Sequence, residues 1–465
     1  MKKIKIAYVG GGSRAWARVL MSDLAKEKEI CGEVYLYDID FESAKQNEII
    51  GNGIKNVAGA TDNFSYVAVK QLSEALTGAD FVIISILPGT FDEMESDIHT
   101  PEKYGIYQSV GDTTGPGGIV RTLRTVPMIK QIALGVKEFC PSAWVINYTN
   151  PMSACVRTLY RTFPAIKAYG CCHEVFGTEK LLSEMAGNKG DWHDVKVNVL
   201  GINHFTWINQ AVLGDTDLMP VYSKFVDENY EKGYKDKFSS GLKPQFACRN
   251  RVKFDLFRRY GIIAAAGDRH LAEFCPGKWY LKSPEQVNEW GFMLTDVRFR
   301  KEDLKERLLT TEKLLMGEEQ FVIEETGEEG VKQIKALLGL GNFVTNVNLP
   351  NRGQLDGVPV GAVVETNVKF MKDDVKPMYA GSVPKNILPL IVRPLVGEEL
   401  SVESALSGDY EKAFQAFCND ALVDLSLTSA RKLFEEMLYN TKKYLPFYDD
   451  YVAGRKNNKR LLIDL

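Results

Sequence analysis

The stretch Ile4–Ser13, IKIAYVGGGS, decides the fold. A short apolar run ends at three glycines and a serine, and a helical pattern follows to about Lys26. A strand that stops at glycines before a helix suits a dinucleotide. Glycine lets the backbone approach a pyrophosphate, and the helix N-terminus favours its charge. Gly10 and Gly12 give G-x-G, but Ala15 stands where the fingerprint has its third glycine. A glycine triplet alone also fits a plain turn. The next strand strengthens the nucleotide reading. EVYLYDID (33–40) ends in acids, and Asp38 lies 26 residues beyond Gly12, where an acid binds a ribose diol. An acid there favours NAD over NADP. Gly10, Gly12, Ser13 and Asp38 are therefore the candidate cofactor-binding residues.

Further strands lie outward from this start. FVIISIL (81–87) is almost wholly apolar and β-branched, as in a parallel sheet covered on both faces. WVINYTNP (144–151) and AIKAYGCCH (165–173) read as two more strands, and a helix follows Phe41. Strands alternating with helices predict an α/β fold with an open, doubly wound, Rossmann-like sheet. From about residue 196 the pattern changes. VKVNVLGINHFTWINQAVL alternates like antiparallel strands, helical stretches follow at 245–260, 301–339 and 410–443, and residues 341–370 read as paired strands. The expected division is residues 1–195 for NAD and residues 196–465 as an α+β domain for substrate and oligomerisation. The site is expected between them.

Bulk properties narrow the class. Of 465 residues, 57 are basic and 61 acidic, a net charge of -4 that argues against nucleic acid or an anionic membrane as partner. The basic cluster Arg455, Lys456, Lys459 and Arg460 reads as a solvated tail. No run reaches the ~18 apolar residues of a membrane helix. The apolar run after the N-terminal lysines is too short for a signal peptide. Eight scattered cysteines without C-x-x-C imply free thiols in a reducing cytoplasm.

The polar motifs pose the chemical question. The five histidines include His173 in GCCHEVFG, His204 in GINHFTW and His270 in GDRHLAEF. A lone histidine is usually structural; three beside expected strand ends point to a site. In GCCHEVFG a vicinal disulfide would be strained, and the spacings of a closed zinc site are missing. A Cys–His nucleophile pair would need neighbouring side chains to face each other, whereas along a strand they alternate. An open metal site using one thiolate and one imidazole is the sharper option, with His204 able to supply the imidazole. GDTTGPGGIVRTLRTVP (111–127) reads either as a helix-capping loop or as a loop over the cofactor, with Asp112 near the chemistry. NYTNP (147–151) places Asn147 and Asn150 at a strand end.

Together these stretches, with NLPNRGQLDGVPVGAVVE, resemble glycoside hydrolase family 4 over about residues 3–370, and look most like its α-galacturonidase branch. The two-carboxylate scheme of most glycosidases does not apply to that NAD-dependent family. The resemblance implies a lactate/malate dehydrogenase-like fold, NAD and Mn²⁺ or another divalent metal. It implies hydrolysis of an α-galacturonide by oxidation at C3, deprotonation at C2, elimination, water addition and return of the hydride. By motif it assigns Cys172 and His204 to the metal and His173 to the general acid. Asn150 and Asp112 fall to substrate binding. Asp268 is nominated as the C2 base, with helix capping as its plain alternative. Arg269 and His270 are offered to the sugar carboxylate or the metal. Arg14, Arg121, Arg124 and Arg251 are further candidates for that carboxylate. A homodimer or homotetramer is implied. The competing functions are an α-glucuronidase or α-galactosidase of the same family, a simple NAD-dependent sugar or hydroxy-acid dehydrogenase, and a non-enzymatic NAD-binding sensor.

Overall fold

The structure is a computed structural model that describes residues 1–324 and 326–457; Lys459 and Arg460 of the basic cluster lie outside them. Six parallel strands form its centre: β1 (Lys2–Val9), β2 (Ile30–Tyr37), β3 (Phe64–Val69), β4 (Phe81–Ile84), β5 (Trp144–Asn147) and β6 (Lys167–Gly170). Their order is β3-β2-β1-β4-β5-β6, the order of dinucleotide-binding sheets, with a crevice where β1 separates the two halves.

The apolar runs are explained by burial on both faces. In β1, Ile6 and Tyr8 pack into one layer and Ala7 and Val9 into the other. In β4, Phe81 and Ile83 face the first layer while Val82 and Ile84 face the second. Each such large side chain contributes about 1.5–3 kcal/mol on burial. The sequence reading has no strand at β3. That edge strand buries only Tyr66 fully, so it lacks a continuous apolar run. β5 stops at Asn147, short of the expected 151, because Tyr148 makes one more bond to Ile84 O and the chain then turns out of the sheet.

Two antiparallel strands, β7 (Val195–Ile202) and β8 (Phe205–Leu213), form a second sheet with the short strand Ile263–Ala264. The expected paired strands are β9 (Phe343–Pro350) and β10 (Val363–Met371), joined by β11 (Asp374–Pro377). They extend the first sheet antiparallel beyond β6, through the pair Asn348 and Gly170. The large sheet thus draws strands from both sides of residue 195. The expected helix over 301–339 is two helices, Val297–Met316 and Gly330–Leu337, the first ended by Gly317 at φ +74°. The stretch 410–443 likewise divides into Tyr410–Asn419 and Leu427–Thr441. Among the described residues no helix is long and apolar enough to cross a membrane.

Candidate active site

The nucleotide end begins at β1. Gly10 has φ +98°, and a Cβ there would lie 2.0 Å from Ser85 O. The Gly10 and Gly11 amides both donate to Tyr37 O at 2.9 Å, which ties the glycine turn to β2. Asp38 Oδ2 accepts from the Gly12 amide at 2.9 Å and Oδ1 from the Asp40 amide at 3.0 Å. Each oxygen keeps a lone pair for a ribose hydroxyl. Ser13 Oγ accepts from the Trp16 amide at 3.1 Å and starts the helix Trp16–Ala25. Arg14 serves this end, donating to Ser43 Oγ at 2.8 Å.

Beyond the C-terminal ends of β5 and β6 lies a cavity of about 440 Å³. It is lined by Asp112, Asn150, Cys172, His173, His204, Asp268, Arg269 and His270, so every metal, catalytic and substrate candidate reaches one space. Trp16, from the start of the first helix, lines it too and connects it to the nucleotide end.

One group in this wall has chelating geometry. Donor atoms of Asp112, His204 and His270 lie within 4.8 Å of one another. Cys172 lines the same cavity but is not part of that group. His204 sits in the β7–β8 connection at φ +62°, a conformation that side chains with a Cβ rarely adopt. Its Nδ1 meets Thr113 Oγ1 at 2.8 Å, leaving Nε2 for a ligand. The two histidine rings lie 3.8 Å apart. Burial, then the neighbouring His270, drive His204 down to about 3. Burial also opposes charge on His270, but the Glu174 carboxylate, 3.5 Å away, raises it. Asp112 is held below its ordinary range: burial opposes ionisation, and His204, Arg121 and His270 outweigh it.

The loop bearing Asp112 is strapped down from below. Glu273 accepts from the Val110 and Gly111 amides at 2.7 and 3.0 Å. Arg269 donates to Ser109 O, to Thr295 Oγ1 at 2.7 Å and to Met293 O at 3.1 Å. Arg269 therefore positions this loop as well as lining the cavity. Arg124, one of the arginines offered for substrate, is sealed from it. Its Nη1 lies 3.0 Å from Asp97 Oδ1 and its Nε donates to Pro88 O at 2.9 Å, with the pair fully buried. Arg121 donates to Asn150 O at 3.1 Å, and Arg251 to Glu289 O. Of the five arginines offered, Arg269 alone lines the cavity.

The adjacent cysteines are both free and face different layers. Cys171 accepts from Gln333 Nε2 at 3.3 Å among core residues of the large sheet. Cys172 packs with Met152, Val156 and Val363. Burial, then Glu365 and Glu174, raise the Cys172 thiol well above its ordinary value. The His173 ring lies tilted beside Trp16, 5.9 Å between centroids, and its Nδ1 lies 3.3 Å from Glu328 Oε1. Burial would lower its pKa, but the Glu328 contact raises it.

Asp268 is fully buried, and burial pushes its carboxyl up to about 6 against the pull of Lys253. It begins the helix Asp268–Phe274, which has no side-chain cap; instead its Oδ1 accepts from the Lys253 amide at 3.0 Å, in the first turn of Arg251–Tyr260. The capping role thus exists, but for a different helix. Among the described residues its Oδ2 and the Asn150 Oδ1 are buried without a partner.

Glu174 and Glu328 are the acidic groups that sequence reasoning passed over. Glu174 follows His173 inside the quoted motif and also accepts from the Gly267 amide at 3.0 Å. Glu328 comes from a distant loop, for which the sequence offers no local signal.

A strand order and glycine turn of this kind, joined to a metal-type cavity, define a nucleotide-dependent metalloenzyme architecture. Comparison with known proteins makes this specific. The family models "Family 4 glycosyl hydrolase" and "Family 4 glycosyl hydrolase C-terminal domain" match residues 5–188 and 199–423. The α-galacturonidase of Thermoanaerobacterium saccharolyticum is 60% identical over 448 residues, covering 95% of this chain and 96% of that protein. The crystal structure of lplD from Bacillus subtilis is 49% identical, covers 94% of this chain and 100% of its own, and superposes with a TM-score of 0.90. The 6-phospho-β-glucosidase of Thermotoga maritima, crystallised with manganese, NAD⁺ and glucose-6-phosphate, shares the fold at 21% identity. Its TM-score is 0.76, covering 95% of this chain and 99% of that one. The chain belongs to family 4 of the glycosyl hydrolases.

Proposed function

We propose that this enzyme hydrolyses α-galacturonides with the help of NAD⁺ and a divalent metal such as Mn²⁺. The observation that carries the reading is the single cavity joining Asp112, His204, His270, Cys172, His173 and Asp268 beside the glycine turn. The α-galacturonidase name borne by a 60% identical relative supports the substrate class.

The residues fit the two groups. A carboxylate and imidazoles suit a divalent first-row metal, and the nearby Cys172 thiol needs a cation to favour its thiolate. The glycine turn and the half-free Asp38 carboxylate suit the nucleotide. When bound, the nicotinamide supplies a reversible hydride acceptor for sugar C3, and the metal supplies positive charge beside the sugar hydroxyls.

The chain's own residues manage the protons. Asp268 Oδ2, unpaired and on a carboxyl with a pKa of about 6, receives the C2 proton. His173, whose pKa the Glu328 contact raises, gives its proton to the leaving oxygen at C1 from Nε2, since Nδ1 faces Glu328. Asn150 Oδ1 accepts a sugar hydroxyl. Glu174 holds His270 in place through its ring. The free cysteines support a cytoplasmic setting, and the family resemblance supports a homodimer or homotetramer.

The test is hydrolysis of p-nitrophenyl α-galacturonide, α-glucuronide and α-galactoside, with NAD⁺, Mn²⁺ and thiol each left out in turn. The α-galacturonide should be cleaved fastest, with all three additions required and no net NADH. Faster α-glucuronide cleavage would reassign the sugar. NADH accumulation without glycoside cleavage would make the protein a dehydrogenase.

A further inference from the structure

An α-galacturonide carries a carboxylate at C6 that a neutral galactoside lacks, and that group needs a cation inside the cavity. Three lysine and arginine side chains line it: Lys253, Arg269 and Arg300. Lys253 is buried, donates from Nζ to Thr178 Oγ1 at 2.7 Å and lies in the field of Asp268. Arg269 has committed Nε and Nη2 to Met293 O, Ser109 O and Thr295 Oγ1. Arg300 differs from both. It stands in the first turn of the helix Val297–Met316, half-buried, and among the described residues its guanidinium makes no hydrogen bond or ion pair.

A half-buried guanidinium without an acceptor leaves up to five donors short of partners. A carboxylate satisfies two of them at once, in a parallel pair of charge-assisted bonds. Phe246 preorganises the group: the Arg300 Cζ lies 4.8 Å from its ring centroid, which restricts the side chain without consuming a donor. The charge Arg300 feels most is that of Asp112, in the chelating group, so it faces the same space that would hold the sugar. The neighbouring charges on its helix are engaged elsewhere. Arg298 pairs with Asp296, Lys301 with Asp92 and Glu95, and Arg307 with Asp303.

We propose that Arg300 receives the uronate carboxylate and sets the preference for galacturonides over neutral galactosides; this rests on the function proposed above. The experiment uses the full chain with NAD⁺ and Mn²⁺, as wild type, Arg300→Met and Arg300→Lys. One readout is the ratio of kcat/KM for p-nitrophenyl α-galacturonide to that for p-nitrophenyl α-galactoside. The other is calorimetric affinity for free galacturonate against galactose. Arg300→Met should lower the kcat/KM ratio about 100-fold, the size expected when one partner of a desolvated charge pair is removed. Its galacturonate affinity should fall to that for galactose. Arg300→Lys should restore part of the ratio, because it keeps the charge but not the fork. Unchanged ratios and affinities in both variants, with wild-type circular dichroism and NAD⁺ binding, would overturn the proposal. If Arg300→Met fails to fold, Arg300→Lys decides alone: a ratio and affinity equal to wild type count against the carboxylate fork. A wild-type protein that cleaves no galacturonide would instead refute the functional reading itself.

Discussion

Replacing Asp268 by Asn should lower activity and raise stability, and both effects follow from one carboxyl. Asp268 is fully buried with an unpaired Oδ2, and burial lifts its pKa from an ordinary 3.8 to about 6. Between those values the native state binds the extra proton, so stability falls as pH rises through that range. Above pH 6 the ionised group costs the fold about 3 kcal/mol. Asn removes that cost while its Oδ1 still accepts from the Lys253 amide, the 3.0 Å bond at the start of Arg251–Tyr260. The loss of a counter-charge for the buried Lys253 offsets part of the gain. Urea denaturation at pH 8, 5 and 3.5 reads the balance: the stabilisation should be full at pH 8, about half as large at pH 5 and gone below the ordinary carboxyl value of 3.8. On the catalytic side, loss of a general base lowers kcat about 10²- to 10⁴-fold. The wild-type kcat/KM should rise with pH through about 6, and this limb should vanish in Asp268→Asn. Release of p-nitrophenol gives the rate, and a C2-deuterated substrate tests whether proton removal has become slower. A variant within tenfold of wild type that keeps the acid limb would refute Asp268 as the base.

Four further outcomes follow from the geometry. Glu174→Gln removes the charge that raises His270 and should weaken Mn²⁺ activation about 10- to 100-fold, read from the activation constant; an unchanged constant would dismiss the orienting role. Glu328→Gln withdraws the partner that raises the His173 pKa, so the alkaline limb of kcat/KM should move to lower pH; a limb that stays put would exclude His173 as the titrating acid. Asp97→Ala strands the buried Arg124 guanidinium and should cost about 3–5 kcal/mol in denaturant unfolding. Gly12→Ala places a Cβ 2.9 Å from Asp38 Oδ2, on a side chain that can turn, and 2.7 Å from Ser43 Cβ, which moves only with its helix backbone. The fold should survive while NAD⁺ binding, followed by NADH fluorescence, weakens at least about tenfold.

What the sequence made legible follows from how locally each feature is written. β1 and β4 show as apolar runs because both faces are covered, and Asp38 shows because it ends β2. β3 does not show, since an edge strand buries too little to leave a pattern. The pairing of β9 with β10 was readable from the turn residues between them, but its attachment to β6 rests on one residue pair, Asn348 and Gly170, which no local pattern encodes. The site divides the same way. His173, His204, His270 and Asn150 stand in short polar motifs near strand ends, Asp112 in the loop before the helix at Gly115, and all reach the same cavity. Arg300 lies in RFRKEDLKER, which reads as a solvated charged helix, and only the packing of Phe246 and the cavity distinguishes it.

Glu174 explains why a motif as short as GCCHEVFG carries so much of the site. It begins the helix after β6, on the nucleotide-binding side of the chain. One of its oxygens accepts from the Gly267 amide and the other faces His270, both in the C-terminal half. Burial opposes its ionisation, yet His270, His204 and His173 hold it well below the ordinary range. The carboxylate therefore links the residue beside the proposed acid, His173, to the segment bearing the proposed base, Asp268. It does so through groups whose charges depend on one another. Moving either half would separate a charged acceptor from its donors in a buried site, which costs far more than a surface contact. The relative placement of acid, base and metal-type group is thus held by electrostatics at this junction, together with the Glu273 and Arg269 bonds that fix the Asp112 loop and the apolar packing around them.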